Sequence, residues 1–179
     1  MRVLLSIAIL AACPLGALAQ TADVAAPEEV AIEGVGLSQD VPCDGRDVGI
    51  YGADNRITLT GQCGRVVVHG DGHNVTIENA TALAVSGIGH TVLADKLGAL
   101  AIETTENTVT ATMASINGPA DITVSGADQV ANLTLESAAK IAVSGTQQTV
   151  NWSLAAGTPE PSVDIDGIDN AVNRIDGLD

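Results

Sequence analysis

Phenylalanine is missing from this chain, and Tyr51 and Trp152 are its only aromatic residues. Compact cores usually draw on aromatics because each ring fills a large volume. With 46% hydrophobic residues and 1% aromatic ones, Val, Ile, Leu and Ala must fill the interior, which favours a narrow, regular architecture. Basic residues are scarce as well: Lys+Arg number 7 against Asp+Glu 22, a formal net charge of −15. That balance excludes nucleic acid, whose phosphates need Lys and Arg to displace counterions, and anionic membrane surfaces. No apolar run reaches the roughly 20 residues that a membrane-spanning helix needs. The apolar content also argues against a disordered chain. Its 179 residues suit one folded domain.

The N-terminus reads as an export address. Arg2 supplies a positive start, Val3 to Leu10 an apolar run, and Ala17-Leu18-Ala19 a small-residue cleavage site before Gln20. Residues 1–19 are therefore expected to be a signal peptide. Residues 20–29, rich in Ala and Glu, are expected to be a flexible leader, and residues 30–179 a single repeat domain. A competing reading takes Leu10-Ala11-Ala12-Cys13 as a lipobox that anchors the chain by lipidation at Cys13. Either reading exports the protein, to the periplasm or the medium. Cys43 and Cys63 remain in the mature chain, and an even number in an exported protein points to a disulfide. The alternative is two separate buried thiols. The spacing lacks any zinc-like pairing.

The strongest signal is self-similarity. The unit apolar-x-apolar-x-Gly-x-x-polar-x-apolar-x-apolar recurs on Gly52, Gly70, Gly87, Gly126, Gly145 and Gly167, with Thr104 in the place of one glycine and a weaker copy around Gly34. Two residues before each anchor stand Ile50, Val68, Val85, Ile102, Val124, Val143 and Ile165, all β-branched. Five after it stand Ile57, Val75, Val92, Val109, Ala131, Val150 and Val172. Alternation with period two on both sides of the anchor predicts two short strands per unit, with the glycine at a corner. Like residues recur when equivalent strands stack about 4.8 Å apart. The sequence therefore predicts an all-β fold, a single-stack parallel β-solenoid of about seven to eight short rungs with a small aliphatic core. Arg174, at a position that is apolar in the other rungs, and the Asp-rich tail are expected to cap it.

The segment Val41 to Gly64, with its pattern V-x-C-D-G-x-D-V-x-I-x-G-x-x-N-x-I-x-L-x-G-x-C-G, resembles the opening of domain-of-unknown-function family 3060. The resemblance extends over about residues 40–154. It implies export and a repeat β fold and no known activity. Later rungs depart from it, with Gln129 and Gln148 where Asn is usual and Thr104 where Gly is usual.

Three residues after each anchor stand Asn55, His73, His90, Asn107, Gln129, Gln148 and Asn170. They read foremost as a corner ladder, because stacked amides bond along a stack and Asn and His tolerate left-handed backbone. His73 and His90 on neighbouring rungs, with His69 close by, raise zinc or copper as a rival reading. The Asp164-Ile-Asp166-Gly-Ile-Asp169 run raises calcium, but it lacks the bidentate Glu of a calcium loop. No metal site or cofactor is expected. Catalysis finds no support either: no G-x-S-x-G elbow occurs, and a thin rod has no cleft for a carboxylate pair.

The expected function is that of an exported, non-enzymatic structural or interaction module of the cell envelope, with an unspecified protein or envelope partner. The alternative is a ligand- or metal-binding ladder face on the outward Thr and Asn columns. A carbohydrate-active enzyme is the weakest reading. The outer face of the first strands, small at Gly49, Ala84, Ala101 and Ala142, is a candidate docking surface.

Overall fold

The computed structural model describes residues 29–175. The expected signal peptide with its expected cleavage site at Ala19–Gln20, Cys13, and all of the expected leader but Glu29 lie outside them. Among the described residues fourteen strands follow one another without a helix: β1 (Val30–Val35), β2 (Ser38–Pro42), β3 (Val48–Ala53), β4 (Arg56–Asp71), β5 (Asn74–Ile88), β6 (Thr91–Leu97), β7 (Leu100–Ile102), β8 (Thr108–Met113), β9 (Ala120–Val124), β10 (Val130–Leu135), β11 (Ala139–Val143), β12 (Thr149–Leu154), β13 (Ser162–Ile165) and β14 (Ala171–Arg174).

All pairings are parallel, between strands one rung apart. The register is the repeat itself. Ile32 lies beside Ile50, Ile50 beside Val68, Val68 beside Val85, Val85 beside Ile102, and Ile102 beside Val124. The result is a parallel β-solenoid of about eight rungs, roughly 34 Å long at one strand spacing per rung. The weak copy around Gly34 forms the first rung as β1 and β2. One long face holds the first strands of the rungs and the other holds the second strands. β4 and β5 are long because each carries the second strand of one rung round an edge into the first strand of the next, with a register irregularity between Leu59 and Gln62.

Inward columns from both faces are buried, with Val48, Ile50, Ile57 and Leu59 in one rung and Ile122, Val124, Ala131 and Leu133 in another. Two short faces a few side chains apart are filled almost wholly by aliphatic residues, with Trp152 the one aromatic residue in the inward columns of the described residues. The anchors follow from stacking. Gly52 has φ +108°, and a Cβ there would stand 1.9 Å from the carbonyl oxygen of Gly34; at Gly126 it would stand 2.0 Å from that of Thr104. Thr104 holds the same corner at φ +80°, a conformation that is costly for a β-branched residue.

Rung lengths differ only at the edge opposite the anchors. The 22-residue step from Thr104 to Gly126 contains an outward loop at residues 114–119, and the step from Gly145 to Gly167 contains residues 155–161. At that edge Cys43 and Cys63 are bonded, with Cα atoms 4.8 Å apart, joining the first rung to the second. Of the expected cap, the structure describes Arg174 and the tail only as far as residue 175. The Arg174 guanidinium lies 5.6 Å from the Trp152 ring centroid and pairs with Glu160, but Val163 and Ile165 remain 42% and 49% exposed. They occupy inward columns, and among the described residues no strand pairs with the far edge of β13.

Candidate functional site

The most organised polar feature is the column three residues after the anchors, and it lies inside the rod. Asn55, His73, His90, Asn107, Gln129 and Gln148 are all buried. Each side chain accepts the backbone N–H of its counterpart in the preceding rung. Leu37 N–H donates to Asn55 Oδ1 at 2.9 Å, Asn55 N–H to His73 Nδ1 at 3.2 Å, His73 N–H to His90 Nδ1 at 3.1 Å and His90 N–H to Asn107 Oδ1 at 2.9 Å. The series continues from Asn107 to Gln129 Oε1, from Gln129 to Gln148 Oε1 and from Gln148 to Asn170 Oδ1.

The other end of each of these side chains except that of Gln148 reaches a carbonyl four residues back in its own rung. Asn55 Nδ2 donates to Tyr51 O, His73 Nε2 to His69 O, His90 Nε2 to Ser86 O, Asn107 Nδ2 to Glu103 O and Gln129 Nε2 to Ser125 O. Among the described residues, Gln148 Nε2 is the one buried side-chain atom without a partner.

This geometry fixes the histidines chemically. Nδ1 faces an N–H donor and must be bare, and Nε2 faces a carbonyl and must carry the proton, so both rings are neutral. The rings stack 4.9 Å apart at an interplanar angle of 5°. Burial pushes the His90 pKa below the usual imidazole value, partly opposed by its bond to the Ser86 carbonyl. His69 turns outward and meets Ser86 Oγ at 2.9 Å, so the three imidazoles do not converge. Among the described residues no group of three or more His, Cys, Asp or Glu is placed to hold a metal.

The left-handed backbone expected at this column sits one residue earlier, at Asp54, Glu106, Asp128, Gln147 and Asp169 with φ between 55° and 59°, and at Gly72 and Gly89. The ladder residues are selected for their paired acceptor and donor atoms instead. That signal was legible, since the column holds only Asn, His and Gln and never Ser, Asp or Lys. Its burial was not, because a polar column reads as an outward one.

A second feature has no counterpart in the sequence reading. The 114–119 loop stands out from the edge opposite the ladder and walls a groove of about 480 Å³. Gln62, Asn79, Lys96 and Asp121 line its floor, and Ile116, 93% exposed, stands on its rim. Lys96 is 3.8 Å from Glu136. The only trace in the sequence is the lengthened step between Thr104 and Gly126.

The candidate docking face is flat but not uniform. Gly49 is buried, because the Tyr51 ring and Glu29 lie over it. Tyr51 donates its hydroxyl hydrogen to Glu29 Oε1 at 2.9 Å, and that bond to a carboxylate raises the Tyr51 pKa. Asp164 and Asp166, in the run that suggested calcium, are exposed. Among the described residues no helix is long and apolar enough to cross a membrane.

Neither a curated protein nor a solved structure matches the chain. A family model does match residues 50–96, a shorter stretch than the motif suggested, ending before the rungs where Thr104, Gln129 and Gln148 replace the usual residues. Over those residues, which take in the second, third and fourth rungs, the chain is similar to the family described as protein of unknown function (DUF3060).

Proposed function

We propose that the protein is an exported, non-enzymatic β-solenoid that serves as a structural or interaction module of the bacterial cell envelope. The observation that carries this reading is the ladder. The groups best suited to acid–base or metal chemistry, His73 and His90, have both ring nitrogens committed to backbone atoms. What the rod offers outward is two long, regular strand faces, a form that suits spacing or docking. The Cys43–Cys63 bond suits an oxidising compartment outside the cytoplasm. Expression of the tagged full chain in a bacterial host, followed by fractionation and mass spectrometry, tests the export part. The expected product begins at Gln20, lies in the periplasm or medium and has no free thiols. An unprocessed, reduced cytoplasmic chain would overturn it, and a lipidated Cys13 would establish the anchored form.

The ligand-binding alternative has one observation in its favour. On the second face Asn151 Nδ2 donates to Asn132 Oδ1 at 3.0 Å, and Asn173 Nδ2 to Asn151 Oδ1 at 3.2 Å, continuing the outward column of Thr58, Thr76 and Thr110. Such an array repeats polar groups at strand spacing. Leu93 interrupts it in the fourth rung. Calorimetry with calcium, zinc and copper separates the two, since the module reading expects no heat of binding.

A further inference from the structure

The two ends of the rod differ. At the N-terminal end Ile32 is 5% exposed, and Leu37 closes the ladder column with a side chain that cannot accept a hydrogen bond. At the other end β13 pairs with β11 on one side only. Its inward residue Ile165, in the same column as Ile32, is 49% exposed, and Val163 is 42% exposed. Apolar side chains left open along an unpaired strand edge form a template for another strand. The charges around this edge are of one sign. Glu160, Asp164, Asp166 and Asp169 surround it, and the nearby cation, Arg174, is already engaged with Glu160 and Trp152.

We propose that this end docks an extended basic segment of a partner protein, which adds a ninth rung by pairing with β13. The alternation of Val163-Asp164-Ile165-Asp166 dictates the complement. Apolar residues of the incoming strand cover Val163 and Ile165, and Lys or Arg residues between them face Asp164 and Asp166. A second copy of this chain fits poorly, because its first rung would bring Glu29, Glu33 and Asp40 to the same carboxylates.

Trp152 is the only tryptophan and lies under Arg174, so its emission reports on this end. Titration of the mature chain with a synthetic Val-Lys-Val-Lys-Val-Lys peptide should give a saturable change that weakens as salt is raised. A Val-Glu-Val-Glu-Val-Glu peptide should give none. Asp164→Asn with Asp166→Asn, both exposed and the second keeping an oxygen to accept the Gly167 N–H, should weaken binding about five- to tenfold. An unchanged thermal midpoint would confirm that this loss is not unfolding. Absence of saturation, equal binding of the acidic peptide, or unchanged affinity in the double variant would each overturn the proposal. So would concentration-dependent dimerisation that the same substitutions abolish, which would give the end to a second copy.

Discussion

Asparagine, glutamine and neutral histidine share the one property this corner demands: an acceptor and an N–H donor on a short, stiff arm. Asn107 shows what that is worth, because it takes the His90 N–H and serves the carbonyls of Glu103 and Gly87. Asn107→Ala strands the buried His90 N–H and takes one donor from each of the two carbonyls, and the cost should be about 3 kcal/mol by chemical denaturation. Gln148 is the converse case. Its unpartnered Nε2 is the longer arm's misfit, so Gln148→Asn, which restores the commoner residue, should stabilise the fold by about 1 kcal/mol. His90 makes the ladder sensitive to acid. Because burial lowers the His90 pKa, the unfolded chain binds a proton before the folded one does. This contribution is therefore complete above about pH 6.5 and is lost as pH falls through the folded value. Neighbouring His73 and His69 add to the lowering, and Asp71 opposes it. Asn does the same work without titrating. The His90→Asn variant should match the wild type at pH 7.5 and lose less of its thermal midpoint at pH 5. Equal losses in the two would refute this account. The residue types of the column were plain in the sequence. Their burial was not, since it depends on the next rung supplying an N–H.

Within each rung the corner is the constrained element. The carbonyl of one anchor points at the Cα of the next, which is why a Cβ on Gly126 would come within 2.0 Å of Thr104 O. Gly126→Val should therefore cost at least about 3 kcal/mol, or prevent folding, since backbone rather than a flexible side chain would have to move. Thr104 has accepted the same geometry at φ +80°, with its hydroxyl against the backbone of Gly87. Strain of this kind costs about 1–3 kcal/mol. Thr104→Gly relieves it but gives up the hydroxyl contacts and some chain entropy. The expected net is about 1 kcal/mol of stabilisation, a rise of about 2–4 °C in the melting midpoint. A fall would mean that the hydroxyl contacts outweigh the strain. The sequence marked every corner by its glycine and marked Thr104 as the exception. It did not show which atoms collide, because the clash is between residues 17 to 22 positions apart.

Over the whole molecule, stability runs along one axis, since each rung touches only its neighbours and end rungs are held from one side. The disulfide acts where that matters, joining the first rung to the second across 20 residues. Cys43→Ser with Cys63→Ser should cost about 3 kcal/mol by loop-closure entropy. Hydrogen exchange should then rise first in β1 and β2 and leave β9 to β12 protected. Uniform acceleration along the rod would contradict the one-dimensional picture. The alternation of Val and Ile, the recurring glycine and the lack of rings were enough to specify strands, corners and a parallel stack, because these are demands a residue makes on its own rung and on identical neighbours. Tertiary structure alone decided that the Asn, His and Gln column turns inward, that the 114–119 loop walls a groove, and that Val163 and Ile165 lie uncovered. Those outcomes depend on what stands one rung above or below, or on nothing standing there, and a single repeat carries no record of its place in the stack.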